Sequence, residues 1–197
     1  MEKVPNQILL DTAIQLMAAT GKPLKKIATG TRAMKYELED GRTVRVRTCN
    51  DHVLVVLASN TAQDAHLNIE GTDFLLVVMP EAPRKEGPVI AYFLPTTVAT
   101  NDVRSAHMEW LKSGPATRGN NLTWNIWFDD GPPGCSGFAA RWVNHQLPKT
   151  AAITSTRNTV SEKKSGSLGG VIAKARSEIA AAAGVPLEAV KITVALD

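Results

Sequence analysis

Cysteine, aromatic residues and long apolar runs are all scarce in this chain of 197 residues. Its two cysteines, Cys49 and Cys135, are too few for a disulfide framework, and neither sits in a CxxC or His-rich setting of the kind that holds zinc. The four histidines, His52, His66, His107 and His145, form no HxH or HExxH pattern. The longest apolar runs, 54–58 and 74–79, fall far short of the roughly 20 residues that span a bilayer. The start Met1-Glu2-Lys3-Val4-Pro5 lacks the apolar segment of a signal peptide. The expectation is a cytoplasmic protein with reduced thiols, no membrane partner and no cofactor.

Net charge is also small, +3, but it is unevenly spread. Residues 1–147 carry 15 basic and 15 acidic side chains, so the excess lies in 148–197, with seven basic and four acidic. Within the neutral part, residues 22–47 concentrate eight basic residues against Glu37, Glu39 and Asp40. That cluster is the main electrostatic feature of the chain.

At 44% hydrophobic residues the chain has the apolar content to build a core, and its length suits one domain with a small appendage. Residues 6–19 place Ile8, Leu9, Leu10, Ile14, Leu16 and Met17 at helical spacing after a cap at Asn6, and stop at Thr20-Gly21-Lys22-Pro23. Residues 35–38 and 43–47 flank an Asp40-Gly41 turn and read as a β-hairpin. In its second strand, Val44 and Val46 face one side while Thr43, Arg45 and Arg47 face the other. The apolar runs 53–58, 74–79 and 89–94 are expected as central strands. A second helix is expected from a cap at Asn101 or Asp102 to about Lys112, a sixth strand over 122–128 and a short helix within 138–147. Residues 148–167 read as a polar linker, and 168–197 as a helix and strand able to dock on the body or on a second copy.

The hairpin 36–48, the run Asp73-Phe74-Leu75-Leu76-Val77-Val78, the strand Ala91-Tyr92-Phe93-Leu94-Pro95 and the segment His107-Met108-Glu109-Trp110-Leu111 together resemble the PD-(D/E)xK restriction-endonuclease-like superfamily. The resemblance covers about 8–147. It implies an α/β body with an α+β tendency, a mixed central sheet of five or six strands flanked by helices; residues 168–197, outside the resemblance, are expected as an appendage. It also implies that the strand 43–47 occupies the place of the metal and water site, where the family carries an acid and a lysine two residues apart. Here those places hold Arg45 and Arg47. Arginine cannot ligate a divalent cation or serve as a general base at neutral pH, so cleavage is not expected from this strand.

Guanidinium forks do suit phosphate oxygens. The expected site is therefore a phosphate-binding surface of Lys25, Lys26, Arg42, Arg45 and Arg47, in a non-catalytic protein associated with DNA or RNA. Two alternatives stand beside it. One is a protein-interaction or regulatory module, homodimeric through its C-terminal segment, whose arginines are solvated and paired with Glu37 and Glu39 across the hairpin. The other is a Mg²⁺-dependent nuclease whose acids have migrated to Asp51, Asp64, Asp73 or the Asp129-Asp130 pair. All four tryptophans, Trp110, Trp124, Trp127 and Trp142, crowd into residues 110–142. Trp110 and Trp124 are expected in the core and Trp127 on the exposed strand face.

Overall fold

The computed structural model describes residues 3–27, 34–115 and 119–149; the expected linker and the C-terminal helix and strand lie outside the described residues. The described chain is α/β, with a mixed five-stranded sheet flanked by helices. Helix α1 spans Asn6–Ala19 and is followed by strands β1 (Lys25–Lys26), β2 (Lys35–Glu37) and β3 (Thr43–Thr48). Then come β4 (Val53–Leu54), β5 (Phe74–Pro80), β6 (Val89–Pro95), α2 (Thr96–Lys112), β7 (Ile126–Trp127), α3 (Phe138–Arg141) and a 3₁₀ turn at Val143–His145. The main sheet runs β1-β2-β3-β5-β6, with β3 and β5 parallel and the other pairs antiparallel.

The helix expected over 6–19 forms with those bounds, but its cap is Pro5 rather than Asn6. It ends as the sequence requires: Gly21, at φ +74°, takes the left-handed position, and the Lys22 N–H reaches back to the Met17 carbonyl at 2.9 Å. Its stripe of Leu9, Leu10, Ala13, Leu16 and Met17 is buried with Val44, Val46, Leu76 and Val78, the residues of β3 and β5 that face α1. Each side chain fully buried this way contributes roughly 1.5–3 kcal/mol. The alternate residues of β5, Leu75, Val77 and Met79, join the second core with Val103 and Ala106 of α2.

Three expectations about elements need correction. The run 53–58 is not a central strand: only Val53–Leu54 form a ladder, and that ladder pairs with β7 in a separate two-stranded sheet. An apolar run reports burial, and here Leu54 and Val56 reach the second core by covering the main sheet rather than joining it. Residues 122–128 likewise lie outside the main sheet, although their alternation is as expected, with Trp124, Ile126 and Phe128 buried. Helix α2 starts at Thr96, directly after β6, with Pro95 as its cap. Proline's fixed φ suits that position, and the run Thr96 to Thr100 is helical despite its weak propensity because Ala99 and Thr100 are buried.

Candidate anion-binding face

The hairpin loop sets which charges meet. Gly41 takes φ +83°, and the Leu38 N–H bonds the Arg42 carbonyl at 2.8 Å, which fixes Lys35 opposite Arg45 and Glu37 opposite Thr43. The arginines are therefore not paired across the hairpin with Glu37 and Glu39. Arg45 faces a second cation instead, and Lys35, Arg45 and Arg47 project from one sheet face because directly paired residues and alternate residues share a side.

That face lies beneath the segment between β3 and β5, whose backbone supplies carbonyls to all three cations. Arg45 Nη2 donates to the Glu70 carbonyl at 2.9 Å, Arg47 Nη2 to the Val55 carbonyl at 2.8 Å, and Lys35 Nζ to the Gly71 carbonyl at 3.4 Å. Among the described residues, none of the three has a carboxylate within ion-pair distance. The nearest acid in that segment, Glu70, is committed elsewhere: its carboxylate takes Arg104 and His66, each at 2.7 Å. Burial first, and the Arg47 charge second, hold the Arg45 guanidinium below the usual arginine value. It stays charged at neutral pH, and its Nε is buried without a hydrogen-bond partner. Carbonyls orient these side chains without neutralising them, so the face keeps its positive charge.

The other expected site residues are dispersed. Lys25, on the edge strand β1, pairs with Glu37 and shares the face of Arg45, whereas Lys26 pairs with Tyr36 and points to the α1 side. Arg42 lies in the turn, where Nε and Nη2 both donate to Asp40 Oδ2, at 2.8 and 2.6 Å, and the guanidinium covers the Phe74 ring. Those hydrogen bonds lower the Asp40 carboxyl and raise Arg42 from their usual values. Arg42 is therefore a neutralised turn residue. Lys35 is the residue that sequence reasoning missed, and the register imposed by the hairpin loop was the signal that could have found it.

Nor do the carboxylates considered as migrated metal ligands converge. Asp73 Oδ2 accepts the Thr43 N–H at 2.7 Å and the Thr43 hydroxyl at 2.8 Å, which locks the start of β5 to β3 and lowers its carboxyl. Asp51 pairs with Lys3 and Arg84, and Asp129 with His52. No group of three or more His, Cys, Asp or Glu side chains among the described residues could hold a metal ion. Among the described residues, no helix is long and apolar enough to cross a membrane.

Compared with models of protein families, with curated proteins and with solved structures, the chain matches none of them. The resemblance to restriction-endonuclease-like proteins thus rests on the quoted residues alone and assigns no superfamily.

Proposed function

We propose that this chain is a non-catalytic protein associated with DNA or RNA, which holds phosphates on the face formed by Lys35, Arg45 and Arg47, with Lys25 at its edge. One observation carries the reading: three cations share a sheet face and have only carbonyl partners among the described residues. Like charges side by side destabilise a sheet unless an anion offsets them, and a polyanion does so while releasing its counterions. Arginines in place of an acid and a lysine favour binding over cleavage, and the dispersed carboxylates give the nuclease reading no support.

The test is fluorescence anisotropy with short single- and double-stranded DNA and RNA across a salt series, each sample run afterwards on a denaturing gel with and without Mg²⁺. Three neutralised phosphates should give a logarithmic salt slope of about −2 to −3. An Arg45→Ala, Arg47→Ala double variant should lose most of the binding. Absence of binding at low salt, or binding indifferent to the double variant, overturns the reading; Mg²⁺-dependent cleavage replaces it with a nuclease.

A second reading, a self-associating interaction module, is favoured by Val55 and Leu57, which are 44% and 50% exposed on the outer side of the small sheet. Light scattering over a concentration series decides it: a dimer lost in Leu57→Ser supports it, and a monomer throughout rejects it. The C-terminal segment expected to dimerise lies outside the described residues.

A further inference from the structure

Arg45 and Arg47 are alternate residues of β3, so their Cα atoms lie about 6.6 Å apart on one side of the sheet. Lys35, paired with Arg45, stands about 5 Å from it on β2. Extended arginine and lysine side chains are about as long as these separations, so the three charged ends can meet over one small area.

Each arginine is held from one side only. Its Nη2 is committed to a carbonyl of the covering segment, Glu70 for Arg45 and Val55 for Arg47. Nη1 of each has no protein partner among the described residues and stays open to solvent. Lys35 Nζ, with its longer Gly71 contact of 3.4 Å, is likewise accessible. The segment that holds them is itself fixed. The Leu57 N–H donates to Asn68 Oδ1 at 3.0 Å and the Asn68 N–H to the Leu57 carbonyl at 2.9 Å, Glu70 takes Arg104 and His66, and Asp73 takes Thr43. The guanidiniums are thus oriented before a ligand arrives, which removes part of the ordering cost that long side chains otherwise incur on binding.

The patch is compact rather than a track. Beyond Lys35 the next residue of β2 on this face is Glu37, and beyond Arg45 the next of β3 is the uncharged Thr43. A strand lying through the face would meet an acid where its next phosphate needs a cation. Charge count points the same way. Burial, and after it the nearby Arg47 charge, disfavour the charged form of Arg45, and no carboxylate among the described residues offsets the pair. An internal phosphodiester carries one negative charge, enough for one of two guanidiniums. A phosphomonoester carries about −1.5 to −2 at pH 7 and three acceptor oxygens, so it can take both guanidinium edges at once.

We infer that Arg45 and Arg47 clamp the phosphomonoester at one end of a nucleic-acid strand, while Lys35 takes the linkage next to it. The clamp rests on the phosphate-binding reading above, yet the two are separable, because a terminal phosphate can be added or removed without changing the rest of the strand.

The experiment is fluorescence anisotropy on the full chain at one salt concentration, with a single-stranded decamer in three forms: 5′-phosphorylated, 3′-phosphorylated, and with hydroxyls at both ends. One phosphorylated form should bind about tenfold tighter than the hydroxyl form, the equivalent of one charge-assisted hydrogen bond. A nucleoside monophosphate should displace it where the nucleoside does not. In Arg47→Gln and in Arg45→Met the preference should fall to about twofold, and either variant suffices if the other fails to fold. Equal binding of all three forms overturns the clamp and leaves the phosphate-binding face standing, and a preference that the variants retain also overturns the clamp. A nucleoside monophosphate that binds by saturation-transfer NMR, and is lost in Arg47→Gln, while no oligonucleotide binds, keeps the clamp and removes the nucleic-acid reading. Binding of neither removes both.

Discussion

The Nδ1 of His52 lies 2.6 Å from an Asp129 carboxylate oxygen while its Nε2 lies 2.6 Å from the Pro80 carbonyl. One buried ring thus joins the end of β5 to the turn after β7, across 77 residues of sequence on one side and 28 on the other. Its backbone sits at φ +54°, a conformation unusual for histidine that this double tether holds in place. Removing the ring strands a buried carbonyl, so His52→Ala should cost about 2 kcal/mol in urea unfolding at pH 7. Asp129→Ala, at an exposed carboxylate, should cost clearly less. Equal losses would mean that the pair with Asp129, rather than the Pro80 contact, fixes this junction.

Much of the framework was legible because local chemistry agreed with the tertiary outcome. The 6–19 stripe, the Asp40-Gly41 hairpin and the strands at β5 and β6 all follow from periodicity and turn residues. The misses share a cause: they depend on what lies beside a segment. An apolar run such as 53–58 cannot announce whether it joins a sheet or covers it, and Lys25–Lys26 carries no apolar alternation to mark an edge strand. The cationic face was half legible, since Arg45 and Arg47 share a side by alternation while Lys35 joins them only through hairpin register. The aromatic slot lined by His107, Asn125 and Trp127 was less so, because those residues come to one place only when the small sheet folds against α2.

Trp142 anchors the last described helical segment. It is fully buried, packs edge-on against Phe128, Phe138 and Tyr92, and donates its Nε1–H to Asp102 Oδ2 at 2.8 Å. Trp142→Ala should cost about 4 kcal/mol in chemical denaturation, by lost transfer energy and the cavity left behind. Trp142→Phe keeps most of the packing and should cost about 2 kcal/mol. If Trp142→Ala unfolds at the same denaturant concentration as the parent, residues 138–145 are not part of the cooperative core.

Burial disfavours the charged form of His107, which lowers its folded pKa beneath the unfolded value near 6.5. Between those two values the unfolded chain binds more protons, so stability rises with pH there. His107 therefore contributes fully above about pH 6.5 and its contribution shrinks as pH falls below it. His107→Phe keeps the stack on Trp124 and removes the proton, so the difference in unfolding free energy between parent and variant should change across that window and flatten above it. A difference independent of pH from 5 to 8 would reject the assignment. The carboxyls lowered by their partners, at Asp40, Asp51 and Asp73, act separately, because their contribution is lost only as pH falls below about 3.8.

Cys49 is buried and its thiol is pushed up to about 12, chiefly by loss of solvent. The thiolate is the reactive form, so Cys49 should be inert to a disulfide reagent at pH 8 in the native protein and should react only at the rate of opening. Labelling in rising urea, read by mass spectrometry after digestion, should track unfolding measured by fluorescence. Rapid labelling of Cys49 without denaturant would contradict its burial.

Arg45 and Arg104 reach into the same segment, and their difference separates a functional charge from a structural one. Arg104 donates to the Glu70 carboxylate and the Ala65 carbonyl, so Arg104→Met strands a partly buried acid and should lower stability by about 2 kcal/mol. Arg45 has a carbonyl but no counter-ion among the described residues, and lies beside Arg47 and opposite Lys35. Arg45→Met retains the apolar stem and relieves the like charges, so stability should be unchanged or higher by up to about 1 kcal/mol. In the same variant, oligonucleotide affinity should fall and the salt slope should lessen by about 1. A charge that costs stability and supports binding is what a phosphate site requires. If Arg45→Met unfolds as readily as Arg104→Met and binds like the parent, Arg45 is a strut for the segment above the sheet, and the cationic face loses its central member.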